Sequence, residues 1–79
     1  MEIQVLGSGC PNCQRLEKMT REVVGDLGIE ASVDKVTDSM EIASYGVMST
    51  PALVVDGQVV LTGLPTAQKL RAALDGLSE

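Results

Sequence analysis

The sequence predicts an α/β protein with the element order β-α-β-α-β-β-α, in which helices flank a mixed four-stranded sheet. Three observations predict it. Leu16, Met19, Val23, Val24 and Leu27 recur at helical spacing between two β-favouring runs. Two further β-rich runs, 52–55 and 59–62, flank Asp56-Gly57, a strong hairpin signal. A second helical pattern, Leu70, Ala73, Leu74 and Leu77, follows them.

Ile3, Val5 and Leu6 form the first strand, which Gly7-Ser8-Gly9 ends. On the first helix, Gln14, Arg15, Glu17, Lys18, Arg21 and Glu22 occupy the face opposite the apolar stripe. Gly25 weakens its end and Gly28 suits a C-terminal cap. Residues Ala31 to Val36 alternate as a second strand. Asp38, with Glu41 three residues on, has the pattern of a capping box for a short helix holding Met40, Ile42, Ala43 and Tyr45, which Gly46 stops. Pro51 opens the hairpin, where a strand needs no ladder N–H. Gly63-Leu64-Pro65 breaks the chain, and Thr66 can cap the last helix, with Leu70, Ala73, Leu74 and Leu77 inward. The β-α-β unit implies a parallel pair with a right-handed crossover. At 79 residues, with no repeat or linker, a single domain over 1–79 is expected.

Composition excludes several classes of function. A net charge of −5 repels phosphate backbones, and Tyr45, the sole aromatic residue, makes no stacking platform, so no nucleic-acid partner is expected. No stretch reaches the roughly 20 apolar residues of a membrane helix. The N-terminus lacks a basic segment followed by an apolar run, which leaves the cytoplasm as the expected location and no membrane partner. The chain contains no histidine, so imidazole acid–base and metal chemistry are ruled out. Without Phe or Trp, the core must come from aliphatic residues, with Met19, Met40 and Met48 as expected fillers. Tyr45 is expected to cover the end of its helix with its hydroxyl in water.

The chemistry centres on Cys10-Pro11-Asn12-Cys13. Pro11 is favoured at the first helical position, which makes Cys10 the N-cap. Its sulfur then lies near free backbone N–H groups and the positive end of the helix dipole, which favour a thiolate. Cys13, three residues on, shares that face and can reach back. The pair is unequal: Cys10 attacks a substrate disulfide, and Cys13 resolves the mixed disulfide. A structural staple is the weaker reading, because it would close a very short loop and a reducing cytosol would open it. Cys-x-x-Cys alone is weak evidence, but after a strand and at a helix start it points to redox chemistry.

These residues resemble the thioredoxin-fold superfamily, and more closely the small prokaryotic thioredoxin- or glutaredoxin-like redox-active disulfide proteins. The resemblance spans essentially the whole chain. It rests on the first strand, Gly9-Cys10-Pro11-Asn12-Cys13, the second β-α unit, Ser49-Thr50-Pro51 and the Asp56-Gly57 hairpin. It implies a minimal, glutaredoxin-like thioredoxin fold and thiol–disulfide oxidoreductase activity on protein disulfides. Cys10 would be the nucleophile and Cys13 the resolver. The resemblance also implies that Pro51 is cis and packs against the disulfide, whereas its position alone favours trans. Thr50 would offer backbone hydrogen bonds to the substrate chain. Pro11, Asn12, Thr50 and Pro51 thereby become the substrate-binding residues, and Met48 neighbours them. The expected partners are protein disulfides and a thioredoxin-reductase-type or other dithiol reductant, with the protein a monomer that needs no cofactor or metal.

Two departures narrow the resemblance. Gln4, which cannot titrate, matches the position where thioredoxins bury an aspartate. Gly63-Leu64-Pro65-Thr66 stands where glutaredoxins carry the Gly-Gly pair and Asp of their glutathione site.

The chief rival is a small Cu(I) carrier, since two thiolates suit a soft ion. Such domains run β-α-β-β-α-β and carry a Met two residues before the first cysteine, where this chain has Ser8. Structural zinc needs four ligands, so two cysteines would require a dimer. Gly7-Ser8-Gly9 also follows a strand as a dinucleotide fingerprint does, but Asn12 replaces the third glycine. Read simply, the two glycines let a tight loop present Cys10.

Overall fold

Alternation along the first strand decides how the layers stack. On β1 (Glu2–Leu6), Ile3 and Val5 face one way and Gln4 and Leu6 the other. The computed structural model describes residues 1–7, 9–47 and 50–77. Its remaining elements are α1 (Pro11–Leu27), β2 (Ser32–Val36), α2 (Ser39–Ser44), β3 (Ala52–Val55), β4 (Gln58–Thr62) and α3 (Ala67–Leu77). This is the expected α/β order. The second β-α unit is followed by a hairpin and a helix, unlike the order of the metal-carrier domains.

The sheet order is β2-β1-β3-β4. β1 lies parallel to β2 and antiparallel to β3, which pairs antiparallel with β4. Asp56 and Gly57 both have positive φ, 49° and 84°, as a two-residue hairpin turn with the favoured twist requires. Asp56 also ties this turn to the sheet centre. Its Oδ1 accepts from Glu2 N–H at 2.8 Å, while its own N–H donates to the Glu2 carbonyl at 2.8 Å.

Each sheet face has its own apolar cluster. Ile3, Val5, Leu53 and Val55 pack with Leu16, Val23 and Val24 of α1 and Leu70 and Leu74 of α3. Leu6, Ala52 and Val54 pack with Val36 and Ile42 on the α2 side. β1 and β3 are the two central strands and contribute to both clusters, which is why β3 is buried at every position.

The caps follow the sequence. Asp38 accepts from Met40 N–H at 3.0 Å, and Thr66 Oγ1 accepts from Lys69 N–H at 3.2 Å. Gly28 ends α1 in the left-handed region, with Ile29 N–H donating back to the Val24 carbonyl at 3.1 Å.

Three side-chain expectations fail. Met40 is 80% exposed instead of filling the core, because α2 is only six residues long and presents Ile42 to the sheet. Leu77 is 44% exposed at the last turn of α3, three residues past Leu74, which is buried in the core cluster. The Tyr45 hydroxyl is not left to water but donates to Gln4 Oε1 at 2.6 Å. Met48 falls outside the described residues.

Candidate functional site

The site forms where β1 hands over to α1. Gly9, with φ of 92°, takes a turn that few other residues tolerate and delivers Cys10 to the N-cap of α1. Pro11 occupies the first helical turn, where a missing N–H costs nothing. Cys10 Sγ accepts from Cys13 N–H at 3.2 Å, and the Cys10 carbonyl accepts from Gln14 N–H at 3.0 Å. The Gln14 side-chain amide also donates to the Gly9 carbonyl at 3.3 Å, which fastens the turn to the helix.

Cys10 and Cys13 form a disulfide, with Cα atoms 5.1 Å apart. Their environments differ. Cys13 is only 5% exposed, while Cys10 is half-buried and borders exposed Pro11 and Asn12. Cys10 is therefore the more accessible residue of the pair. The first turn of α1 holds no acidic residue to oppose a negative charge on Cys10. Arg15 and Lys18 are exposed further along the same helix.

The second expected segment arrives through the sheet. The Thr50–Pro51 peptide bond is cis, as the resemblance implies. Pro51 is buried and Thr50 exposed. A Cβ built on Gly7 would meet both Cys13 and, at 3.9 Å, Thr50 Cβ, so Thr50 and Cys13 border the same small space above the end of β1. The Pro51 carbonyl accepts from Gly63 N–H at 2.7 Å, which ties the chain after β4 to this segment. Ser8 and Ser49 fall outside the described residues.

Two contacts made by β1 and the residue after it escape sequence reasoning. Gly7, read as part of a tight loop that presents Cys10, is buried directly against Cys13. Gln4, half-buried, shares the α2-side face of β1 with Leu6 and accepts from Tyr45. Both contacts join residues through the fold, and no local pattern announces them.

A disulfide at a helix N-terminus, beside a cis-proline segment and on a mixed sheet between helices, defines a small redox-active protein of the thioredoxin class. Comparison with known proteins agrees. A family described as "Thioredoxin domain" matches residues 1–75. The chain is 44% identical over 63 residues to a thioredoxin of Methanothermobacter thermautotrophicus, covering 80% of this chain and 82% of that one. It is 35% identical over 78 residues to a thioredoxin of Methanocaldococcus jannaschii, covering 98% and 90% respectively. A second thioredoxin of that organism is 29% identical over 68 residues, covering 82% of this chain and 80% of the relative. The chain belongs to the thioredoxin domain family, and it is a thiol–disulfide oxidoreductase.

Proposed function

We propose that the protein reduces protein disulfides by dithiol exchange, with Cys10 as nucleophile and Cys13 as resolving thiol. The observation that carries this is the inequality of the two cysteines: Cys10 is half-buried at the N-cap, and Cys13 is 5% exposed one turn in. The Cys10 thiolate attacks one sulfur of the substrate disulfide. A Cys10–substrate bond forms, and the other substrate sulfur leaves as a thiolate that takes a proton from water. Cys13, deprotonated in turn, attacks Cys10 Sγ and expels the second substrate thiol. Two electrons pass to the substrate, and the Cys10–Cys13 disulfide remains. An external dithiol, from a thioredoxin-reductase-type enzyme or another dithiol protein, returns the pair to the reduced state.

Backbone N–H groups at the start of α1 and the helix dipole favour the thiolate on which the first step depends. Pro11 and Asn12 form one wall of the substrate groove. Exposed Thr50 offers its backbone to the incoming chain, and buried Pro51 supports it from behind. We read residues 1–79 as one domain acting as a monomer in the cytoplasm. No helix among the described residues is long and apolar enough to cross a membrane.

The test is reduction of a model protein disulfide with dithiothreitol as electron source, joined to trapping by single variants. The wild-type chain should accelerate reduction, and both Cys10→Ser and Cys13→Ser should abolish the acceleration. Cys13→Ser should accumulate a mixed disulfide through Cys10, whereas Cys10→Ser should accumulate little. Equal trapping by the two variants would overturn the assigned roles.

A further inference from the structure

We infer that Gly7 is a positioning residue for the redox pair: the space left by its missing side chain is where Cys13 holds its sulfur in bonding reach of Cys10. The inference rests on the dithiol-exchange reading above. A Cβ placed on Gly7 would fall on Cys13 Sγ and lie 2.9 Å from Cys13 Cβ. Gly7 is not among the residues with positive φ, so alanine can adopt its backbone, and the cost of a side chain there is one of contact.

Neither partner can retreat freely. Gly7 N–H donates to the Val36 carbonyl at 2.9 Å. Leu6, just before it, is paired with Val36 on one side and Ala52 on the other, so the end of β1 is held from both directions. Cys13 sits in the first turn of α1, and Leu16, one turn on, is fully buried between helix and sheet. Crowding between the two Cβ atoms is borne by the backbone and is the same whether the pair is oxidised or reduced. The crowding at sulfur depends on redox state. A free Cys13 thiol can move to another staggered rotamer, but a disulfide sulfur cannot do so without leaving Cys10. A methyl group at position 7 therefore penalises the disulfide more than the dithiol and makes the protein a stronger oxidant.

The contrast lies on the same helix. A Cβ on Gly25 meets nothing within 4 Å, so Gly25→Ala adds the same methyl group where there is room for it.

The full chain, Gly7→Ala and Gly25→Ala are equilibrated with mixtures of reduced and oxidised dithiothreitol, and free thiols are counted after an acid quench. The exchange balances: protein disulfide and dithiothreitol give protein dithiol and cyclic oxidised dithiothreitol. Gly7→Ala should raise the equilibrium constant for protein reduction by about tenfold or more, on the scale of overpacking costs. Gly25→Ala should keep the wild-type constant. Equal constants for wild type and a folded Gly7→Ala would overturn the inference. A wild-type chain that does not interchange at all would sink the dithiol-exchange reading with it. If Gly7→Ala does not fold when oxidised, the same substitution is made in Cys13→Ala, where the sulfur is absent. There Gly7→Ala should leave a folded chain with a cooperative unfolding transition, because the methyl group no longer meets a sulfur. A chain that stays unfolded with the sulfur removed would rule the inference out.

Discussion

Reducing the Cys10–Cys13 disulfide should leave this protein folded, with only a modest loss of stability. The bond joins residues three apart, so it closes a four-residue loop. Chain-entropy cost grows with the logarithm of loop length, and for so short a loop it comes to about 1.9 kcal/mol. A domain of this size has about 4–12 kcal/mol of stability to draw on. The apolar contacts of α1 with the sheet, through Leu16, Val23 and Val24, do not depend on the bond. At about 4–8 °C per kcal/mol for a small domain, the melting temperature should fall by about 7–15 °C. The assay is urea and thermal unfolding with and without excess dithiothreitol, followed by far-ultraviolet circular dichroism, since the chain has no Trp to report by fluorescence. A reduced chain that is unfolded without denaturant, or that loses more than about 4 kcal/mol, would refute the reasoning. It would show that the bond is a structural staple, which a protein that cycles between two redox states cannot tolerate.

Other expectations follow from individual contacts. Leu16→Ala removes a fully buried side chain one turn beyond Cys13 and should cost about 3–5 kcal/mol in urea unfolding of the oxidised protein; a cost below about 1 kcal/mol would mean that α1 is not anchored there. Tyr45→Phe deletes the bond to Gln4 and should cost about 0.5–1.5 kcal/mol, whereas an unchanged midpoint would mean that water replaces the contact without loss. Asp38→Ala should cost about 0.5–2 kcal/mol through the lost cap of α2, and Asp38→Asn, which caps equally well, should recover most of it. If Asn fails to recover stability, Asp38 acts by something other than capping.

Much of this protein can be read along the chain, because the relevant physics is local. Helical spacing from Leu16 to Leu27 specified α1, Asp56-Gly57 specified the hairpin, and Gly28 and Thr66 specified helix ends. The unequal positions of Cys10 and Cys13, one at the N-cap and one buried in the first turn, likewise follow from Pro11 at a helix start, since capping geometry is set within a few residues. Side-chain burial at element ends was less legible. Met40 and Leu77 fit an apolar stripe, but whether a stripe meets the sheet depends on helix length and placement.

What only the tertiary structure decided concerns residues joined across the sheet. The order β2-β1-β3-β4 puts β1 and β3 side by side, and thereby brings Thr50 and Pro51 to the end of β1 where the cysteines sit. The same stacking turns Gln4 toward Tyr45, forty-one residues away, and seats Cys13 against the bare backbone of Gly7. Propensity and periodicity act over one or two turns of chain and so settle which segments form. Which distant side chains touch is settled by how the layers close on one another. The Cys10–Cys13 pair was therefore visible in the sequence, whereas the space that accommodates its buried sulfur appeared only in the fold.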